Sequence, residues 1–245
     1  MKKFALSVCA AALLMAMTGC DDKMDPNDPQ SVRKYLEKQK IAVSGNNFVN
    51  AAVSGDTAKM TLFLQATFEI DTPNDAGNNA VAMAVNKGNV DMLNWLFAHG
   101  AKANITNSRG QSVLENAVEM GHKEVTARLL EQLKAENVEP SNMTSSVIFA
   151  ANKGNAEMLQ ILGDAGVPLE FRGPDGFYPI HIVVKYGNYD ALMYLLSKKV
   201  DVNVLDKEGY SVLDWAKSAG YTRLINAVKK AGGKHTAKGL KDLKG

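Results

Sequence analysis

The stretch Gly88-Asn89-Val90-Asp91-Met92-Leu93-Asn94-Trp95-Leu96-Phe97-Ala98-His99-Gly100-Ala101-Lys102-Ala103-Asn104 opens on a glycine that returns at a fixed interval. Gly55, Gly88, Gly121, Gly154, Gly187 and Gly220 each stand 33 residues after the last. Four residues before each glycine come Ala51, Ala84, Ala117, Ala150, Val183 and Ala216. Eight residues after come Phe63, Leu96, Leu129, Leu162, Leu195 and Val228. Eleven residues before stand Gly77, Gly110, Gly176 and Gly209, with Ser44 and Met143 as exceptions. Columns held in phase over six units mean a stacked array, because one such unit cannot bury its apolar face alone.

The unit around Gly121 shows how each would fold. A tight turn near Gly110 starts a short helix, and Ala117 is small where two helices approach closely. Gly121 supplies the left-handed residue that ends the helix. A second helix is predicted from Lys123 to Lys134, with Val125, Leu129 and Leu130 at helical spacing. Residues 31–40 predict a charged capping helix with Ser31 as its N-cap. Thr222 to Lys230 predicts a terminal helix with the polar outer face that an array end needs.

These columns resemble the ankyrin repeat, most closely over Gly88 to Asn104. Tyr178-Pro179-Ile180-His181 is similar to that family's Thr-Pro-Leu-His turn. Asn79-Ala80-Val81-Ala82, Ser112-Val113-Leu114-Glu115 and Ser211-Val212-Leu213-Asp214 depart from it, which leaves the hydrogen bonds between units open there. The resemblance implies an all-α ankyrin-repeat solenoid of about six helix-turn-helix units with capping helices, spanning residues 41–235. It implies protein binding and names no partner.

The first residues read as an address. Lys2 and Lys3 precede an apolar run from Phe4 to Met17, too short for a comfortable transmembrane helix. Met17-Thr18-Gly19-Cys20 resembles the lipobox of bacterial lipoproteins, with Met17 in place of the usual Leu. That resemblance implies a signal peptide over 1–19 and acyl chains on Cys20, which anchor the chain stably to a membrane. Cys9 and Cys20 are the two cysteines, so the mature chain would have no free thiol, as suits an oxidising periplasm. Asp21 resembles the inner-membrane retention signal of enterobacterial lipoproteins, with the outer membrane as the alternative. Residues 20–30, polar and broken by proline, form the expected tether.

From Cys20 onward 26 basic and 26 acidic side chains balance, which speaks against nucleic acid as a partner. Six lysines and one aspartate lie between Lys229 and Gly245, and residues 236–245 are expected to form a flexible basic tail. His99, His122 and His181 fall at positions where the resemblance gives them structural roles, and His235 falls in the tail. No His-x-x-x-His pair, cysteine ligand, Gly-x-Ser-x-Gly or phosphate-binding loop is present. The expectation is a protein with no catalytic residues, no metal and no cofactor.

A binding surface remains. Ankyrin complexes typically use the hairpin tips and the inner-helix ends, which places Arg109, Met120, Arg172, Phe177, Lys185, Tyr186 and Tyr210 at partner-binding positions. Phe177, Tyr186 and Tyr210 are expected to be exposed anchors, rimmed by Arg172 and Lys185. The alternative for Phe177 is inward packing. The expected role is an immunity lipoprotein that inhibits a secreted toxin of the lipase class, such as a type VI phospholipase, at the periplasmic membrane. The alternative is a periplasmic helper that stabilises a client such as a peroxide-detoxifying enzyme.

Overall fold

The structure is a computed structural model describing residues 24–236. Cys20, Asp21 and the expected signal peptide lie outside the described residues, as does the tail from Ala237 on. Among the described residues there are thirteen α-helices and one 3-10 helix; isolated bridges such as Leu205–Ser211 take the place of strands. The chain divides into two compact units, Met1–Gly110 and Gln111–Gly245.

The first unit holds α1 (Pro29–Lys38), α2 (Gly45–Ser54), α3 (Thr57–Gln65), α4 (Ala80–Asn86) and α5 (Val90–Ala98). The capping helix starts earlier than expected. Asp28, not Ser31, is its N-cap, accepting the backbone N–H groups of Gln30 and Ser31 at 3.2 and 3.0 Å. Pro29 at the first helical position has its φ already set for a helix and lacks only an N–H that would be orphaned there anyway. The Ser31 hydroxyl instead accepts Asp25 N–H at 3.0 Å. Val32 and Leu36 are buried, and α1 packs on α3. Phe48, Phe63 and Phe68 form the aromatic core beneath, with ring centroids 5.0 to 6.0 Å apart.

The second unit holds α6 (Val113–Met120), α7 (Lys123–Ala135), the 3-10 helix (Pro140–Met143), α8 (Thr144–Lys153), α9 (Ala156–Asp164), α10 (Pro179–Lys185), α11 (Tyr189–Ser197), α12 (Val212–Ala219) and α13 (Thr222–Lys230). Each of α6, α8, α10 and α12 packs on the next to form an inner row, and α7, α9, α11 and α13 do the same in an outer row. The recurring small residues Ala117, Ala150, Val183 and Ala216 and the recurring Leu129, Leu162, Leu195 and Val228 are fully buried. Each such leucine contributes roughly 2 kcal/mol of transfer free energy. Gly154 ends α8 at φ +64°, and its bare Cα lets the Asn188 side chain reach in from the following repeat. Met143 breaks the glycine column because the 3-10 helix, which needs no left-handed residue, replaces a hairpin there.

Two departures from Thr-Pro-Leu-His, at Ser112 and Ser211, do the work of the histidine, whereas at Asn79 only the N-cap side chain contributes, accepting Ala82 N–H at 2.8 Å. Glu115 Oε2 accepts Ser112 N–H at 3.3 Å, while Ser112 Oγ accepts Glu115 N–H at 3.1 Å. His181 Nδ1 accepts Tyr178 N–H at 3.3 Å. Asp214 Oδ2 accepts Ser211 N–H at 3.0 Å, and Ser211 Oγ returns the bond at 3.2 Å. In each of these pairs the third helical side chain satisfies a donor that the helix leaves orphaned. Glu115 also bonds Ser145 of the next repeat.

Beyond α13 the chain folds back onto the last described repeat. His235 Nδ1 lies 2.7 Å from Asp214 Oδ1, and Thr236 donates to Asp214 Oδ2 through its N–H (3.2 Å) and its hydroxyl (2.6 Å). Lys234 N–H donates to Asn203 Oδ1 at 2.9 Å. His235 and Thr236, the latter at the expected start of the tail, both dock on Asp214.

Candidate functional site

The inner row of the second unit ends each helix beside a turn, and these ends are open to solvent. Tyr186, just after α10, is 53% exposed, and Met120, the last residue of α6, is 47% exposed. Lys153 closes α8 and Lys185 closes α10, both exposed.

Lys185 gathers aromatic rings around itself. Its ammonium lies 5.0 Å from the centroid of Phe177, 5.2 Å from Trp215 and 5.8 Å from Tyr186. Phe177 and Trp215 meet edge to face at 5.3 Å. Phe177 also touches His181, at 6.2 Å between centroids. It is therefore half-buried, with one side packed inward and one facing Lys185. Arg172 lies 5.6 Å over the Tyr178 ring and donates to the Leu205 carbonyl at 2.8 Å.

Tyr210 is not part of this surface. It occupies the same register as Phe177, one repeat later, yet is only 5% exposed. The expectation of an exposed Tyr210 is corrected, and the two turns show why they differ. Asp206 opens the later turn, is itself buried, and accepts the N–H groups of Glu208 and Tyr210 at 2.9 Å each. Gly173 stands at that position in the earlier turn and has no carboxylate, so the exposed Asp175 accepts Phe177 N–H instead, at 3.1 Å. Tyr210 is thus tied to a buried group and Phe177 to a solvated one.

Trp215 joins this surface although register alone does not place it there. It sits five residues before Gly220, outside the two positions nearest the glycine. Its indole N–H donates to Asp206 Oδ2 at 2.8 Å, which fixes the ring against Phe177. The available signal is a tryptophan on a short inner helix one repeat after the Phe177 turn. Arg109 is exposed at a turn of the first unit, with its N–H on Asn107 Oδ1 at 2.9 Å.

The histidines are built into the repeats. His181 is fully buried. Burial pushes its pKa down to about 4, against the raising effects of the Asp206 carboxylate and the Val204 and Tyr210 backbone. His99 stacks on Trp95 at 3.8 Å and has Nδ1 2.7 Å from the Trp95 carbonyl. Burial also raises the pKa of Asp214, but hydrogen bonds from Thr236, His235 and Ser211 outweigh it and hold the carboxyl at about 2.

The family model for ankyrin repeats matches residues 48–142 and 147–238. The chain belongs to the ankyrin-repeat family. Its fold is similar to the crystal structure of an ankyrin repeat domain from Acinetobacter baumannii AYE. The TM-score is 0.68 at 21% identity, covering 76% of this chain and 98% of the other. The ankyrin repeat domain of Bcl-3, an IkappaB-family member, superposes with a TM-score of 0.70 at 19% identity, covering 80% and 96%. Human transient receptor potential cation channel subfamily A member 1 is 28% identical over 171 residues, or 66% of this chain and 15% of the channel. The chain spans less than half the length of the curated relatives it matches first. Ankyrin repeats are modules for protein–protein interaction.

Proposed function

We propose that this ankyrin array captures a protein partner on the surface formed by Phe177, Lys185, Tyr186 and Trp215. One observation carries the reading: three rings converge on an exposed ammonium at the end of an inner helix. Exposed aromatic side chains held rigid by their neighbours are the usual anchors of a protein interface, because they lose little conformational freedom on binding. Arg172 and Met120 extend the same inner-row and turn surfaces.

The lipobox-like Met17-Thr18-Gly19-Cys20 supports a chain lipidated at Cys20 and held at the periplasmic face of a membrane, with Asp21 favouring the inner one. We infer an immunity role there, the partner being a secreted toxin of the lipase class. Tethering concentrates the inhibitor at the bilayer that such a toxin attacks, and a rigid array covers a cleft with a surface of roughly 800 Å² per side. The array works by occupancy and uses no catalytic group.

Affinity capture on the full chain, run beside Tyr186→Ala, tests the surface. The same partner should be recovered with wild type and lost with the variant. Incorporation of labelled palmitate that disappears in Cys20→Ala tests the anchor. Full resistance of a deletion strain to its toxin-bearing sister would end the immunity reading.

A further inference from the structure

Among the described residues Lys185 is an ammonium without a carboxylate, and its partners are the rings of Phe177, Trp215 and Tyr186. The buried acid that holds the Trp215 indole is already committed. Both oxygens of Asp206 are taken, Oδ1 by the N–H groups of Glu208 and Tyr210 and Oδ2 by the Trp215 indole. Ring faces replace part of the water around the ammonium, which lowers the local dielectric and strengthens the hold on any anion that arrives.

Arg172 repeats the pattern. Its guanidinium rests on Tyr178, and Nη2 donates to a carbonyl, which leaves most of its five donors for another acceptor. Lys153, at the end of α8 one repeat earlier, is a third exposed cation with no ion pair among the described residues. The exposed Tyr186 and the half-buried Phe177 and Trp215 lie directly beside Lys185. An acceptor seated on Lys185 therefore has apolar surface within one side chain's reach.

We propose that the surface recognises an acidic segment of its protein partner, in which an Asp or Glu carboxylate seats on Lys185 while an adjacent apolar side chain lies against Tyr186 and Trp215. This rests on the capture surface proposed above and adds the chemistry of the occupant. A polyphosphate backbone fits less well, because it offers repeated charge and no apolar group for the rings.

Panning a phage-displayed library of random dodecapeptides on the full-length chain tests it, with the best peptide and its Asp→Asn, Glu→Gln counterpart then compared by fluorescence anisotropy. The expected consensus pairs Asp or Glu with an aromatic or aliphatic residue. The acidic peptide should bind about tenfold tighter than its amide form, between the effect of an exposed and of a desolvated ion pair. Lys185→Met, which keeps the apolar stem, should erase that preference, while Lys134→Met on α7 should leave it. A neutral or basic consensus, no consensus, a preference that survives Lys185→Met, or equal competition by an oligonucleotide overturns the proposal. If Tyr186→Ala weakens binding and Lys185→Met does not, the capture surface stands and the carboxylate reading falls. If neither variant matters, both fall.

Discussion

Thr236 donates two hydrogen bonds to one oxygen of Asp214, from its N–H at 3.2 Å and from its hydroxyl at 2.6 Å. Asp214 occupies the place where the preceding repeat has His181. His181 faces the backbone of Val204 and Tyr210 in the repeat after it. The buried Asp214 carboxylate instead takes up donors from residues 235 and 236.

Removing the Thr236 hydroxyl should therefore loosen the array's end. Thr236→Ala is expected to cost about 2 kcal/mol, the range for a hydrogen bond to a charged group. Thr236→Ser should retain most of it. Urea denaturation at neutral pH measures both, and equal midpoints for wild type and Thr236→Ala would remove the latch from the stability of this protein.

The same carboxylate sets an acid limit. Asp214 titrates at about 2 when folded, below its ordinary 3.8. The unfolded chain binds the proton first, so the stabilisation is present above pH 3.8 and lost as pH falls towards 2. It amounts to something on the order of 2 kcal/mol. Asp214→Asn should flatten the stability profile in that window.

His181 acts at milder pH. Its folded pKa of about 4 lies below the ordinary 6.5, because the buried ring resists charge. Stability is full above pH 6.5 and declines as pH falls to 4, by on the order of 3 kcal/mol. His181→Gln keeps an acceptor for Tyr178 N–H and should remove that slope. Denaturation midpoints at pH 7 and 4.5 decide it.

Tyr186 and Tyr210 should separate cleanly in melting experiments. Tyr210→Ala removes a buried aromatic ring and should cost about 3 kcal/mol or more. Tyr186→Ala, at an exposed position, should stay within about 0.5 kcal/mol of wild type. Circular dichroism melts of the two variants check this, and equal losses would mean that Tyr186 is part of the core.

Lys199 offers a gain. It follows α11 with φ +60°, at the register where Gly100, Gly166 and Gly232 stand in other repeats. A lysine there carries the steric cost of a left-handed backbone that glycine escapes. Lys199→Gly should raise stability by about 1 kcal/mol, visible as a higher midpoint in urea.

The glycine column made the architecture legible, because a left-handed helix end every 33 residues marks one helix pair repeated, and such pairs must stack to bury their apolar faces. Helix ends at Gly121 and a second helix from Lys123 followed from the same logic. The site was readable only in part. Lys185 and Tyr186 lie where register placed them, exposed at an inner-helix end. Phe177 and Tyr210 share a register, and what separates them is whether the turn's first residue is glycine or aspartate. Trp215 was not legible because its contact with Phe177 comes from packing between repeats. The docking of His235 and Thr236 was equally hidden, since nothing local marks residues 235 and 236 as partners of a buried acid.

Gly173 has a further consequence for motion. The turn bearing Phe177 is fastened through Asp175, whose carboxylate stands in water, whereas its successor is held by a buried one. Amide protons of the earlier loop should exchange with solvent sooner than those of the later one. Phe177 is thus steadied by its packing on Trp215 and Lys185 more than by the loop that carries it.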